Sequence, residues 1–322
     1  MKSNFRHIAL ARLCGWFGLT RQAYYQNSWQ AMSTSIEEEL ILKKVLDIRK
    51  NHRRMGARKL YDLMQVYMEE HSIKMGRDGL FSLLAANHLL VKRRKRRIQT
   101  TNSNHWLRRY PNLIRELVPT GSNQLWVSDI TYWKIDTGEH LYISFITDAW
   151  SHKIVGYQVA DTMDALESIE ALKMAIKSLG KDKGIKPIHH SDRGVQYCSG
   201  DYVKLLKDNQ IGISMTENGD PLENAIAERL NGIIKQEYLD NYQVRTLKEA
   251  KQLLKLVVEL YNSERPHMSI GNQTPTKIHH SKTDLKPEKL WKNYYRQKPT
   301  FVNQDQDYQL TVNSGQDYSI KL

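Results

Sequence analysis

The 322-residue chain holds only two cysteines, Cys14 and Cys198, 184 residues apart. That is too few for a disulfide framework and points to a reducing cytoplasm. Nowhere do eighteen uncharged apolar residues run together. The N-terminal stretch MKSNFRHIALARLCGWFGL is broken by Arg12, and no small-residue cleavage site follows it. The expectation is therefore a chain with neither a membrane span nor a secretory signal. Internal repeats and low-complexity segments are missing, as are any CxxC pair and the HxE…PCxxC pattern of zinc deaminases.

Negative charge is scarce in one region only. Residues 1–118 carry 23 Lys and Arg against 9 Asp and Glu, a net +14, while the remaining 204 residues hold 25 against 26, a net −1. A near-neutral body with a basic front end suits a polyanion held by one part and processed by another. The run Lys92-Arg93-Arg94-Lys95-Arg96-Arg97 concentrates this charge.

The first hundred residues carry helical spacing. The stretch 10–26 gives two short helices around Gly15–Gly18 with Thr20 as N-cap, the outline of a helix-turn-helix or, on length alone, equally of a small helical hairpin. Helices are also expected over 36–50, 57–70 and 77–90, with the basic turn NHRRMGARK between the first two. From 124 the pattern changes. QLWVSDITYWKI, EHLYISFITDAW and KIVGYQVAD read as an antiparallel three-strand meander. A helix over 163–179, a strand over 186–190, a helix near 200–208, a strand over 211–216 and helices over 224–240 and 246–262 follow. This order indicates an α/β fold, a mixed sheet with helices on both faces. The polar tail beyond 280 holds at most a small β element at 307–321.

The stretch KPIHHSDRGVQYCS poses a chemical choice. His189, His190 and Cys198 suggest zinc, whereas Asp192 suggests a carboxylate cluster. Zinc needs four N/S ligands, usually in close pairs. Adjacent histidines on a strand point to opposite faces, and Cys198 has no nearby partner, so no zinc is expected. Asp129 lies among Trp126, Val127, Ile130 and Trp133, where a carboxylate is costly without a partner or cation. Asp192 follows a strand and precedes a glycine turn, where ligands of α/β sheets sit. Glu228 shares a helix face with Asn224, Asn231 and Lys235, opposite Ile226 and Leu230. Taken singly, each acid is equally an arginine partner, a turn residue or a solvated side chain.

Sixty-two residues separate Asp129 from Asp192, and 35 separate Asp192 from Glu228. With this spacing the sequence resembles the DDE transposases and retroviral integrases, most closely the OrfB subunit of the insertion-sequence-three family. WVSDITYW, SHKIVGYQV, HHSDRGVQY, NGDPLENAIAERLNGIIKQEYL and YNSERPHMSIGNQTP are similar to its core motifs, and LTRQAYYQ and NHRRMGARKL to its N-terminal modules. Glu223 stands where that family often has Asp.

The resemblance implies an RNase H-like mixed sheet, three antiparallel strands then parallel ones, flanked by helices and preceded by an all-α, helix-turn-helix-like region. The expected organisation is a basic DNA-binding region over 1–97, a linker over 98–118, the catalytic core over 119–280 and a tail over 281–322. Asp129, Asp192 and Glu228 would hold two Mg²⁺ or Mn²⁺ ions, Asp129 between both. DNA contacts would come from Lys235, Asn224, Arg193, Arg53, Arg54, Arg58, Lys92, Arg93, Arg94, Arg96 and Arg97, with His190 supporting the loop of Asp192. The implied activity is DNA strand cleavage at element ends and transfer of a 3′-hydroxyl to target DNA. A structure-selective nuclease of the same fold and a non-catalytic DNA-binding regulator stay open beside it. The implied partners are double-stranded DNA (inverted-repeat ends and target), an OrfA-type helix-turn-helix protein and further copies of the chain, in the bacterial cytoplasm at the nucleoid.

Overall fold

The computed structural model describes residues 8–91, 106–115, 117–180, 186–217 and 224–281. The β-branched and aromatic runs form β1 (Leu125–Lys134), β2 (His140–Asp148) and β3 (Ile154–Ala160), paired antiparallel in sequence. β4 (Ile188–Ser191) pairs parallel with β1, and β5 (Gly212–Met215) parallel with β4. The strand order β3-β2-β1-β4-β5 is the expected RNase H-like sheet, with β1 at its centre.

Helices cover both faces. On one lie α5 (Ala165–Ser178), α6 (Val195–Cys198) and α7 (Gly200–Asp208), enclosing Trp126, Ile146, Leu172 and Tyr202. The other carries α8 (Ala225–Ile233) and α9 (Leu247–Ser263), packed on Trp133, Ile143 and Phe145. A last helix, α10 (Pro275–His280), seats Ile278 against Trp150 and Ile270. Gly156 of β3 lets α5 lie close: a Cβ there would come within 2.1 Å of the Ala171 carbonyl oxygen.

The single helix expected over 224–240 is divided. After α8 the backbone widens into a π-turn at Ile234–Tyr238 and tightens into a 3₁₀ turn at Leu239–Asn241. Such turns are inserted where neighbouring contacts outweigh regular helix bonding. Here Glu237 accepts two 2.8 Å bonds from the buried Arg265 guanidinium, and the Tyr238 hydroxyl lies 2.9 Å from His52 Nδ1.

At the N-terminus stand α1 (Leu10–Trp16), α2 (Arg21–Asn51), α3 (Ala57–Glu70) and α4 (Arg77–Ala86). Thr20 caps α2 as expected, its Oγ1 accepting from Ala23 N at 3.0 Å. The two helices anticipated at 20–26 and 36–50 are one, because no Gly or Pro in the intervening stretch interrupts the turns. The helix expected to reach residue 90 stops at Ala86. His88 turns left-handed (φ 55), and Leu89 N closes the end on Leu84 O at 2.7 Å. Ile41, Val45, Leu60, Met64, Leu80 and Leu84 form the core of α2–α4.

This bundle docks on the sheet domain through the basic turn. His52 Nε2 lies 3.0 Å from Glu264 Oε2, and Arg53 donates to the Asn241 carbonyl at 2.7 Å. The described part of the expected linker lies along the sheet. Leu113 N donates to Ser214 Oγ at 2.9 Å, Asn112 N to Glu217, and Ile114 is buried beside Leu125 and Ala227. Lys92, Arg93, Arg94, Arg96 and Arg97, the 307–321 element and most of the tail lie outside the described residues.

Candidate active site

Strand register assembles the first two acids. Val127 of β1 pairs with His190 of β4 in parallel. Two residues further along each chain come Asp129 and Asp192, at the same level where β4 ends, the usual place for ligands of such sheets. Asp129 is half-buried in the central strand. Its Oδ1 accepts from Ile130 N at 2.9 Å and its Oδ2 from Asn231 Nδ2 at 2.7 Å. Burial above all, then the charge of Asp192, raises the Asp129 carboxyl to about 8. Glu228 adds a smaller push in the same direction, and the two hydrogen bonds oppose it.

Asp192 is held by its own turn, because Gly194 N donates to its Oδ1 at 3.0 Å. A Cβ at 194 would crowd that same oxygen at 3.0 Å, so glycine keeps the turn tight. Glu228 stands exposed in the first turn of α8. The polar face of that helix, open to a solvated reading from sequence, is applied to β1. Asn224 Nδ2 donates to Ser128 O at 3.0 Å and Asn231 to Asp129. Lys235 Nζ lies 3.4 Å from Thr131 Oγ1 and 4.4 Å from the Tyr132 ring centroid. Asn231 received no site role from sequence. Its position three residues after Glu228 was the available signal.

The histidines of KPIHHSDRGVQYCS have protein partners. His190 is fully buried, its Nδ1 2.8 Å from Ser214 Oγ, which ties β4 to β5 two residues before Asp192. His189 faces the other side, 3.0 Å from the Tyr202 hydroxyl, and burial lowers it to about 3. Cys198 Sγ contacts Met215 Sδ at 3.7 Å.

The other expected DNA contacts are spread out. Arg193 is half-buried in the Asp192 turn, and adds to the Asn112 N–H and Arg115 in holding Glu217 below the usual carboxylate range. Arg53 is engaged by Asn241 and stacks 4.8 Å from the Tyr242 ring centroid. Arg54 is half-buried, and Arg58 lines a shallow cleft with Arg77, Met268 and Asn272.

Among the described residues no group of three or more His, Cys, Asp or Glu stands ready-made to hold a metal ion, this trio included. Its chemistry nevertheless fits a hard divalent cation. The donors are carboxylate oxygens, and burial first, then the charge of Asp192, drives Asp129 towards the neutral form until positive charge compensates it. No helix of the described residues is long and apolar enough to cross a membrane.

Two family models described as integrase core domain match, one over residues 119–221 and one over 209–275. A 31 kDa protein of insertion element IS600 from Shigella sonnei is 34% identical over 269 residues, covering 82% of this chain and 96% of that protein. A transposase for insertion sequence element IS629, also from Shigella sonnei, is 30% identical over 234 residues, 73% of this chain and 76% of the relative. The transposase InsF of insertion sequence IS3A from Escherichia coli K12 is 26% identical over 277 residues, 83% and 93% of the two chains.

Proposed function

Because this chain belongs to the insertion-sequence transposases with an integrase core, in the group that includes the IS3 element's transposase, we propose that Asp129, Asp192 and Glu228 are its catalytic acids. Their task is to cut one DNA strand at an element end with water and then join the freed 3′-hydroxyl to target DNA. The observation that carries this reading is geometric: parallel register sets Asp129 level with Asp192, and Asn231, three residues after Glu228 on α8, bonds the Asp129 carboxylate at 2.7 Å.

The three carboxylates would hold two Mg²⁺ or Mn²⁺ ions. When bound, such a pair stabilises charge on the entering and leaving oxygens and lowers the pKa of water. The protein's own residues prepare the place. Asn231 fixes the Asp129 carboxylate from α8, and Gly194 N fixes Asp192. Lys235, poised over Tyr132 beside β1, offers its ammonium to a DNA phosphate. Arg193, Arg54 and Arg58 extend the basic surface on which double-stranded ends and target would lie, whereas Asn224, expected there too, is buried and braces α8 on the Ser128 carbonyl. The run 92–97 would supply further cations for DNA, while Arg53 holds the docking turn. An OrfA-type protein would assist end recognition, and several copies would assemble on DNA.

The test uses the full chain with oligonucleotides carrying the element's ends, in Mg²⁺. The wild type should yield nicked and then joined product. Asp129→Asn, Asp192→Asn and Glu228→Gln should each lower both steps by about a thousandfold or more, some 4 kcal/mol of barrier, while still shifting the DNA in a gel. Cleavage that never proceeds to joining would make the chain a structure-selective nuclease. Full activity in Asp129→Asn would defeat the assignment.

A further inference from the structure

α2 carries a face that nothing in the described chain covers. Tyr25, Trp29, Met32 and Ile36 are all exposed, Trp29 by 70% and Met32 by 67%. At 3.6 residues per turn they fall, with Arg21 and Glu39, within an arc of about 80°. Ile41 and Val45, which bind α2 to the α3–α4 bundle, lie roughly 200° and 240° around the helix from Arg21. The exposed stripe therefore points away from the chain's own core. Trp16 and Phe17, at the end of α1, are likewise exposed.

We propose that this stripe is a self-association surface, on which a second copy of the chain lays the same helix antiparallel. Three observations select that occupant. The spacing of the apolar residues, four-three-four, reads the same in both directions. A two-fold antiparallel pairing then sets Tyr25 against the partner copy's Ile36 and Trp29 against its Met32, without any change of register. The charges at the two ends are opposite: Arg21 lies one turn before Tyr25 and Glu39 one turn after Ile36, so the pairing brings each arginine to the other copy's glutamate. Between residues 20 and 36, Arg21 is the only charged side chain. The stripe thus lacks the row of cations that a phosphate backbone demands, even though it belongs to the basic part of the chain.

The area is sufficient. Two aromatic side chains, a methionine and an isoleucine at these exposures offer on the order of 500 Å² per copy, or at most about 1,000 Å² for the pair, the least a specific interface should bury. Trp29 and Met32 sit at the centre of the stripe and meet each other across the two-fold axis. They are the anchors on which affinity concentrates.

Light scattering and sedimentation velocity on the full chain test this, without DNA or Mg²⁺ and at micromolar concentrations. The wild type should be a concentration-dependent dimer. The double variant Trp29→Glu/Met32→Glu should weaken association by about a hundredfold or more, the loss of two central anchors. Circular dichroism should stay unchanged, because both residues are exposed. Leu256→Glu, an equal change on the exposed side of α9, should leave the dimer intact. Charge exchange adds an independent readout: Arg21→Glu should weaken the dimer, and adding Glu39→Arg should restore it. A monomeric wild type overturns the proposal, whether or not a tail deletion such as 282–322 uncovers Trp29. A dimer insensitive to the double variant overturns it as well. Because no DNA or metal enters, failure here is distinguishable from failure of the strand-transfer reading.

Discussion

Asn231 and Asp129 stand 102 residues apart in sequence and 2.7 Å apart in space, amide donating to carboxylate. The bond lashes the helix that carries Glu228 to the strand that carries Asp129. Asn231→Leu should keep the fold but free the Asp129 carboxylate to rotate. Strand transfer should fall by about tenfold to a hundredfold, as for lost supports of metal ligands, with a raised Mg²⁺ concentration for half-maximal rate. An Mg²⁺ titration of the joining assay checks both. An unchanged midpoint would remove Asn231 from the positioning role.

The raised Asp129 carboxyl makes a statement about stability. Its ordinary value is 3.8 and its folded value about 8, so between these the folded chain keeps a proton that the unfolded chain has released. The stability from this group is complete below pH 4 and is lost as pH climbs through about 8. In EDTA at pH 8.5, Asp129→Asn should therefore melt higher than the wild type, by at least about 2 °C. The gap should narrow towards pH 4. Adding Mg²⁺ should raise the melting temperature of the wild type alone.

Lys235 reaches Thr131 and the face of Tyr132 with a single ammonium group. Lys235→Gln should weaken DNA binding by a similar factor across sequences and lower the slope of log affinity against log salt by about one. Fluorescence anisotropy at a series of salt concentrations measures it. An unaltered slope would mean that the ammonium stays on Tyr132 when DNA binds.

His52 joins the N-terminal bundle to the π-turn after α8 through both ring nitrogens. Burial lowers its pKa, so it is held neutral. Its contribution stands above its ordinary 6.5 and is lost as pH falls. His52→Phe keeps the ring and deletes both bonds, leaving the Tyr238 hydroxyl unmatched. A loss of about 1–3 kcal/mol is expected, read as earlier urea unfolding and faster proteolysis between the bundle and the sheet domain.

Gly156 sits where α5 crosses β3, and a methyl group there meets backbone rather than a yielding side chain. Gly156→Ala should destabilise the chain by about 3 kcal/mol, at the upper end for overpacking. Equilibrium unfolding gives the number directly.

Much of this was legible in the residue order. The runs around Asp129 are rich in β-branched and aromatic residues and separated by short turns, so β1–β3 could be read from local chemistry alone. The 35-residue interval from Asp192 to Glu228 marked the acids once the surrounding motifs were seen. Helix ends were less legible. α2 continues where two helices were expected, because Ser and Thr weaken a helix without stopping it, and the π-turn at Ile234–Tyr238 answers Arg265 and His52, residues remote in sequence.

By itself the sequence determined the strands, the order of the elements and the uneven charge, since each follows from side-chain type and spacing along the chain, and its resemblance to a known family marked three acids as candidates. Only the tertiary structure decided that Asn231 grips Asp129, that the polar face of α8 lies on β1, and that the aromatic face of α2 turns away from its own core. Those are relations between surfaces. They depend on parallel register and on packing between elements far apart in sequence, which short-range periodicity does not encode.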